Sequence, residues 1–182
     1  MRHIKIIKSI SLIISLFLIT SCSNNSAMKP EDFKNKEPRL IIEEYLSGDV
    51  KAWGVLQNRS GKVTRQFSAD LNGTWDGKTL VLKEKFNWDD GEVQNREWKI
   101  NKIDENNYEG TAGDVVGKAK GYSYGPAFKF EYILLVPVKG KEMKITFDDW
   151  IFKQDDRVAI NRATMTKFGF KVAELTVVFV KD

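Results

Sequence analysis

The chain is almost without two residues on which much enzyme chemistry rests. Its 182 residues include one histidine, His3, and one cysteine, Cys22. Both fall in the first stretch of the sequence. Beyond Cys22 there is no imidazole and no thiol. Ser-His-Asp catalysis, Cys-His catalysis, the usual zinc sites and His-ligated haem each lose a required group. No disulfide can form within the chain, and no metal or cofactor is implied. A basic block with interleaved aromatics is also lacking, so nucleic-acid binding has no footprint. The formal charge of +4 overstates the basicity. Without Arg2, Lys5 and Lys8 the balance is 26 basic to 25 acidic residues, a net of +1. Long apolar runs are lacking too, apart from "SISLIISLFLI" near the start, which is short for a membrane span.

That run has a basic segment before it ("MRHIKIIK") and small residues after it ("TSC"). This is the layout of a secretory signal. Residues 1–21 are therefore expected to be a signal peptide, with an uncleaved N-terminal anchor helix as the alternative. "ITSC", Ile19 to Cys22, resembles the bacterial lipobox. That resemblance implies that Cys22 is lipidated and becomes the first mature residue. Ser23 stands where an aspartate would favour the inner membrane. An outer-membrane lipoprotein facing the periplasm follows by the same analogy. Its membrane partner would be reached through a multi-chain anchor, which holds better than one acyl chain.

Residues 22–36 are polar and unpatterned, and read as a tether. "EPRLIIEEYL" reads either as a short helix opened by Pro38 or as an extended lead-in. From Val50 onward, short runs rich in β-branched and aromatic residues alternate with turn clusters such as "NRSG", "DGK", "DDGE", "DENN", "VKGK" and "QDDR". That spacing predicts an all-β domain over 37–182. No helical stretch is long enough for a crossover. An up-and-down antiparallel meander of about ten strands is expected, closing into a small lipocalin-like barrel. A sandwich is the structural alternative.

Turn lengths then set an expected register. "NRSG" as a four-residue loop pairs Gly54 with Arg65. A two-residue Asp76-Gly77 turn pairs Leu71 with Leu82, Phe67 with Phe86 and Arg65 with Trp88. A three-residue loop at 90–92 sets Phe86 against Arg96 and Glu84 against Trp98. The inward face is then Leu, Phe and Trp, interrupted by Arg65, Glu84 and Arg96. With Trp88 and Phe86 between them, the two arginines suit a site gripping a carboxylate or phosphate at the floor of an apolar cavity. The competing reading is an internal Glu84–Arg96 salt bridge between diagonal neighbours, with arginines stacked on aromatics.

"ITFDDWIF" (145–152) carries two adjacent aspartates on a strand. They must point to opposite faces. The more apolar face includes Asp149, so Asp149 points inward and Asp148 outward, and the pair is no catalytic dyad. A turn centred on 155–156 pairs Asp149 with Arg162 as a structural ion pair. Trp53 and Trp150 fall on the outer face and are candidate partner contacts. The glycine-rich "GTAGDVVGKAKGYSYGP" (110–126) reads as a bent strand pair or a mobile portal.

"KAWG" (51–54), "NGTWDG" (72–77), "NWDDGE" (87–92), "YEGTAGDVVGKAKG" (108–121), "FDDWIF" (147–152) and "NRATMTKFGF" (161–170) resemble, as an ordered set, the bacterial lipoproteins of domain-of-unknown-function family 3833. The likeness runs from about Ile41 to the end, and "YSYGPAFKFEY" departs most from it. It implies a lipid-anchored envelope protein of calycin-like barrel form, without an assigned activity. The expectation is a non-catalytic carrier or sensor for a lipid or fatty-acid-like ligand. The alternative is a structural or assembly lipoprotein with a filled core that binds protein partners. An enzyme acting on lipids without histidine is the remaining class.

Overall fold

Alternation of apolar and polar residues along the strands makes one face of each strand bury itself, and closure of the sheet hides the edges. The computed structural model describes residues 27–138 and 140–181. The expected signal peptide and Cys22 lie outside the described residues. Ten strands follow a short helix, α1 (Ile42–Tyr45): β1 (Gly48–Asn58), β2 (Val63–Trp75), β3 (Thr79–Trp88), β4 (Val93–Lys102), β5 (Asn107–Thr111), β6 (Ala119–Tyr124), β7 (Ala127–Val138), β8 (Lys141–Lys153), β9 (Val158–Lys167) and β10 (Phe170–Lys181). Each strand pairs with its sequence neighbours, and β1 pairs with β10, so the meander closes as an antiparallel barrel.

In a closed meander alternate loops share an end. The β1–β2, β3–β4, β5–β6, β7–β8 and β9–β10 connections form one rim, and the others form the opposite end. The N-terminal segment plugs that opposite end. Leu40, Ile42 and Leu46 are buried there with the side chain of Tyr45. The Leu40 N–H donates to the Gly125 carbonyl at 2.8 Å, and Ser123 Oγ donates to the Leu40 carbonyl at 3.0 Å. Lys181 Nζ donates to the carbonyls of Glu44, Tyr45 and Ser47, satisfying groups at the C-terminal end of α1. Gly73 makes the fit of plug to wall: a Cβ there would lie 1.9 Å from the Leu46 carbonyl oxygen. The lead-in to α1 is thus extended past Pro38, and the helix begins only at Ile42.

The stretch expected as a tether through residue 36 is part of the fold from Pro30 onward. Pro30–Phe33 forms a 3₁₀ turn, and the Phe33 ring packs on Trp150 and Phe152 with centroids 6.0 and 5.5 Å away. Trp150 does point outward, but this cover buries it, so it offers no free surface. Trp53 is half exposed on the outer wall.

β5 and β6 are short, and β5 pairs only with Lys99–Lys102 of β4. The upper part of β4, toward the rim, has no strand on that side. The glycine-rich connection 112–118 fills the gap. It is bonded to β7 through the Val116 N–H to the Ile133 carbonyl (2.8 Å) and the Leu135 N–H to the Asp114 carbonyl (2.9 Å), with a bridge between Val115 and Leu134.

The observed registers differ from expectation in an instructive way. Gly54 sits opposite Phe67, Phe67 opposite Trp88, Leu71 opposite Glu84, and Glu84 opposite Arg96. Each of these hairpins is shifted by two residues, because the connections are longer than assumed and β1–β2 carries a bulge at Leu56/Gln57. A two-residue shift leaves every side chain on its expected face. The β8–β9 hairpin is shifted by one: Asp149 opposes Ala163, and Arg162 opposes Trp150. That turns β9 over. The expected Asp149–Arg162 pair is therefore corrected. Arg162 is on the outer face, its side chain 67% exposed and 3.6 Å from Glu174.

Candidate functional site

The inner faces of the strands enclose a cavity of about 280 Å³, extending from the rim toward α1. Phe67, Phe86, Trp88, Trp98, Phe130 and Tyr132 supply its aromatic lining. Most of these rings meet edge to face or tilted, at 4.9 Å for Phe67–Trp88 and 5.1 Å for Trp98–Phe130, while Phe86 and Trp88 stack at 6.4 Å. Their mutual contacts fix the rings in place. Gly54 lets Phe67 lie flat against β1, since a Cβ at that position would meet the ring at 2.3 Å.

All five expected candidates, Arg65, Glu84, Phe86, Trp88 and Arg96, line this cavity. The charged ones do not act as a free pair of guanidinium groups. Arg65 lies near the rim, its guanidinium 4.0 Å from the centre of the Trp88 ring. Its Nη2 donates to Asp90 and to Glu92, each at 2.8 Å. Arg96 lies deeper. Its Nε and Nη2 donate to the Asp114 carboxylate at 3.0 and 2.8 Å, and its Nη1 is 3.8 Å from Glu84 Oε2. Each arginine is thus held by two carboxylates. The clamp expected for a carboxylate or phosphate is corrected on that ground. The internal salt bridge exists, but between directly opposed residues rather than diagonal ones.

Asp149 points inward, as expected from the apolar face. It accepts a hydrogen bond from the Tyr132 hydroxyl at 2.8 Å and another from Asn161 Nδ2. Burial pushes its carboxyl above the usual range, and the hydrogen bonds from Asn161 and Tyr132 oppose that shift without cancelling it. Burial also pushes the Glu84 carboxyl up to about 7, against the pull of Arg96. Two carboxyls in the chamber are therefore biased toward the neutral acid.

Sequence reasoning missed Asp114, Asn161, Tyr132 and Glu92 as site residues. Asn161 follows from the β9 face once the loop length is known. Asp114 lies in a loop with no pattern, and no local signal points to Arg96.

Among the described residues, four buried side-chain polar atoms have no hydrogen-bond partner. Three of them, Arg65 Nε, Glu84 Oε2 and Trp88 Nε1, belong to residues lining this one cavity. Each such atom costs about 1–3 kcal/mol when left unpaired. They offer two N–H donors near the rim and one carboxyl oxygen deeper in, beside Arg96, in a chamber that also holds Asp114, Asp149 and Asn161. No group of three or more metal-ligating side chains occurs among the described residues.

Solved structures share the fold. A phycobiliprotein lyase of S type from Guillardia theta matches with a TM-score of 0.58 at 11% identity, over 77% of this chain and 90% of that one. A protein of unknown function from the DUF3598 family of Nostoc punctiforme matches with a TM-score of 0.60 at 13% identity, over 81% of this chain and 51% of that one. A redesigned β-barrel, mFAP1, bound to DFHBI is more distant, with a TM-score of 0.40 at 12% identity over 76% of this chain and 97% of that one. At these identities the likeness is one of fold, a calycin-like barrel. Curated protein sequences give no match. Residues 16–181 match the family described as "Protein of unknown function (DUF3833)", and the chain belongs to that family.

Proposed function

We propose that this barrel is a non-catalytic carrier or sensor for a small lipophile with one uncharged, hydrogen-bonding end. The unpaired N–H donors of Arg65 Nε and Trp88 Nε1, side by side at the mouth of one aromatic chamber, carry the reading. Its volume of about 280 Å³ falls just below the usual range for ligand pockets, roughly 300–1,000 Å³, and so suits a small guest. Both arginines are already neutralised, and the chamber also holds Glu84 and Asp149. A free fatty-acid carboxylate would meet more acid than base there. A fatty alcohol, amide or ester end accepts from the Arg65 and Trp88 N–H donors without that conflict. By the lipobox likeness the carrier is a lipoprotein held through Cys22 in the outer membrane and facing the periplasm.

Native mass spectrometry of protein purified without detergent, followed by solvent extraction, tests this reading. The expected result is a neutral lipophile in one-to-one ratio, and quenching of Trp88 fluorescence when the extracted lipid is added back. Protein that neither retains nor rebinds any lipophile overturns it.

A filled-core assembly protein is the second reading. The half-exposed Trp53 on the outer wall favours it, and the interior chamber weighs against it. An enzymatic reading draws only on the lyase likeness. It would rest on Glu84, whose raised pKa suits general-acid work near neutrality. A pH–rate profile lost in Glu84→Gln would be its signature.

A further inference from the structure

The rim of the barrel carries apolar side chains that the fold does not need. Phe168 is 89% exposed and Phe170 77% exposed, at the tip of the β9–β10 hairpin. Val63 and Val138 are exposed on the two adjoining tips, and Val93 on the β3–β4 tip farther round the rim. All five sit at the same end, because their hairpins alternate with those of the plugged end. Among the exposed large hydrophobics, the plugged end has Ile103 at its β4–β5 turn.

The backbone at this tip sharpens the point. Phe168 and Gly169 both have positive φ, 52° and 80°. A two-residue turn of this kind favours Asn-Gly or Gly-Gly. A bulky residue there costs roughly 1–2 kcal/mol against a glycine. The chain thus accepts both backbone strain and full exposure of an aromatic ring, where asparagine would relieve both.

Charge at the tip has one sign. The sequence is Lys167-Phe168-Gly169-Phe170-Lys171. Lys167 Nζ stands 5.2 Å from the Phe168 ring centre. Lys171 makes an exposed contact with Glu174 at 3.2 Å, of the weak kind that a surface anion can replace. β10 lies between β9 and β1, and β9 lies beside β8. The adjoining tips add the exposed Arg59 and Lys62 on one side, and Lys141 beside the exposed Glu142 on the other. Rim acids concentrate at the β3–β4 tip, where Asp90 and Glu92 are held by Arg65.

We propose that the 167–171 hairpin tip docks the barrel rim onto a bilayer rich in anionic phospholipid. The two phenylalanine rings enter the boundary between headgroups and acyl chains, and the flanking lysines stay at the phosphates. Each basic residue near such a surface strengthens binding about fivefold. Docking in this pose sets the chamber opening against the membrane and turns α1 away from it. It stands independently of what the chamber holds.

The test uses the full chain with Cys22→Ser, so that a single new cysteine can carry an environment-sensitive dye. Labels are placed at Phe170→Cys on the tip and at Ile103→Cys at the plugged end. Val63→Cys on the adjoining tip is a second rim position, should the first variant misfold. Vesicles are phosphatidylcholine, with or without phosphatidylglycerol. Rim labels are expected to shift to the blue, and to be quenched by lipid-borne quenchers, only when phosphatidylglycerol is present. The Ile103 label stays in water. Lys167→Glu with Lys171→Glu should weaken the rim signal roughly tenfold or more. Overturning results are an unshifted rim label on anionic vesicles, an equal shift at both ends, or indifference to the charge reversal. Attachment through any other part of the chain gives the first or the second of these.

Discussion

Arg96 and Asp114 are joined by a forked pair of hydrogen bonds, 3.0 and 2.8 Å long, between a strand of the wall and a loop that no strand ladder connects to it. The fork fastens connection 112–118 across the gap between upper β4 and β7. Removing either residue should release the loop, but at different energetic cost.

Asp114→Ala should raise the amide exchange rates of Val116 and Leu135 more than tenfold, because their acceptors lie on either side of the seam. The global unfolding energy should change by only about 1 kcal/mol, the ordinary worth of a net hydrogen bond. Arg96→Met should cost about 3–5 kcal/mol near neutral pH, since it leaves the Glu84 and Asp114 carboxylates without their cation. Exchange mass spectrometry and urea denaturation read the two effects. Unchanged exchange at Val116 and Leu135 in both variants would show that the fork is not what holds the loop.

Glu84 makes the fold less stable as pH rises. Its folded-state pKa of about 7 lies above the ordinary value of 4.5, so the folded protein keeps its proton longer than the unfolded chain does. Stability should therefore fall from about pH 4.5 through 7 and level off above. The penalty is at most about 3 kcal/mol. Glu84→Gln should flatten this window, match wild type near pH 4.5 and exceed it at pH 8. Denaturation series at several pH values decide the matter, and a Gln variant weaker than wild type at pH 8 contradicts it.

Asp149 is coupled to Tyr132 and not to Arg162. Asp149→Ala should cost about 1–3 kcal/mol by stranding the Tyr132 hydroxyl and the Asn161 amide. Arg162→Ala should cost under about 0.5 kcal/mol, as expected for an exposed partner. A double-mutant cycle of Asp149 with Arg162 should give no coupling, whereas the cycle with Tyr132 should give about 1 kcal/mol. Coupling to Arg162 would restore the other register.

Gly73→Ala tests how the plug is seated. The added methyl would overlap the Leu46 carbonyl, a backbone atom that cannot swing aside. A loss of about 1–3 kcal/mol is expected, with faster exchange at the Leu40 and Leu46 amides. A neutral substitution would mean that α1 sits loosely.

Cys22→Ser should move the protein from the membrane fraction to the soluble periplasmic fraction after cell breakage. Protein that stays with the membranes after a high-salt wash, which strips docking through Lys167 and Lys171, would defeat the lipobox reading.

The fold class was readable in advance, because period-two alternation and regular turn clusters are local signals. Which face each residue takes was readable for β1 to β4 and for β8. There the errors in register were even: Leu71 meets Glu84 rather than Leu82, yet both still point inward. Only parity matters for facing. The Lys153-to-Val158 connection has an odd misfit, so Asn161 replaced Arg162 beside Asp149. Turn-length parity is set by local hydrogen bonds, such as those from the Arg157 and Val158 N–H groups to Asp155 Oδ1, which composition does not encode. The Arg96–Asp114 fork was not readable at all. It spans a loop whose path depends on β5 and β6 being too short to complete the wall.

α1 closes one end of the barrel, which makes the chamber a blind tube. Any guest has to back out the way it came. Loading and unloading then share one path and one barrier, so a donor and an acceptor must visit the same rim in turn. A carrier built this way would exchange its guest at one rim only, and it could not serve as a through-conduit between two surfaces.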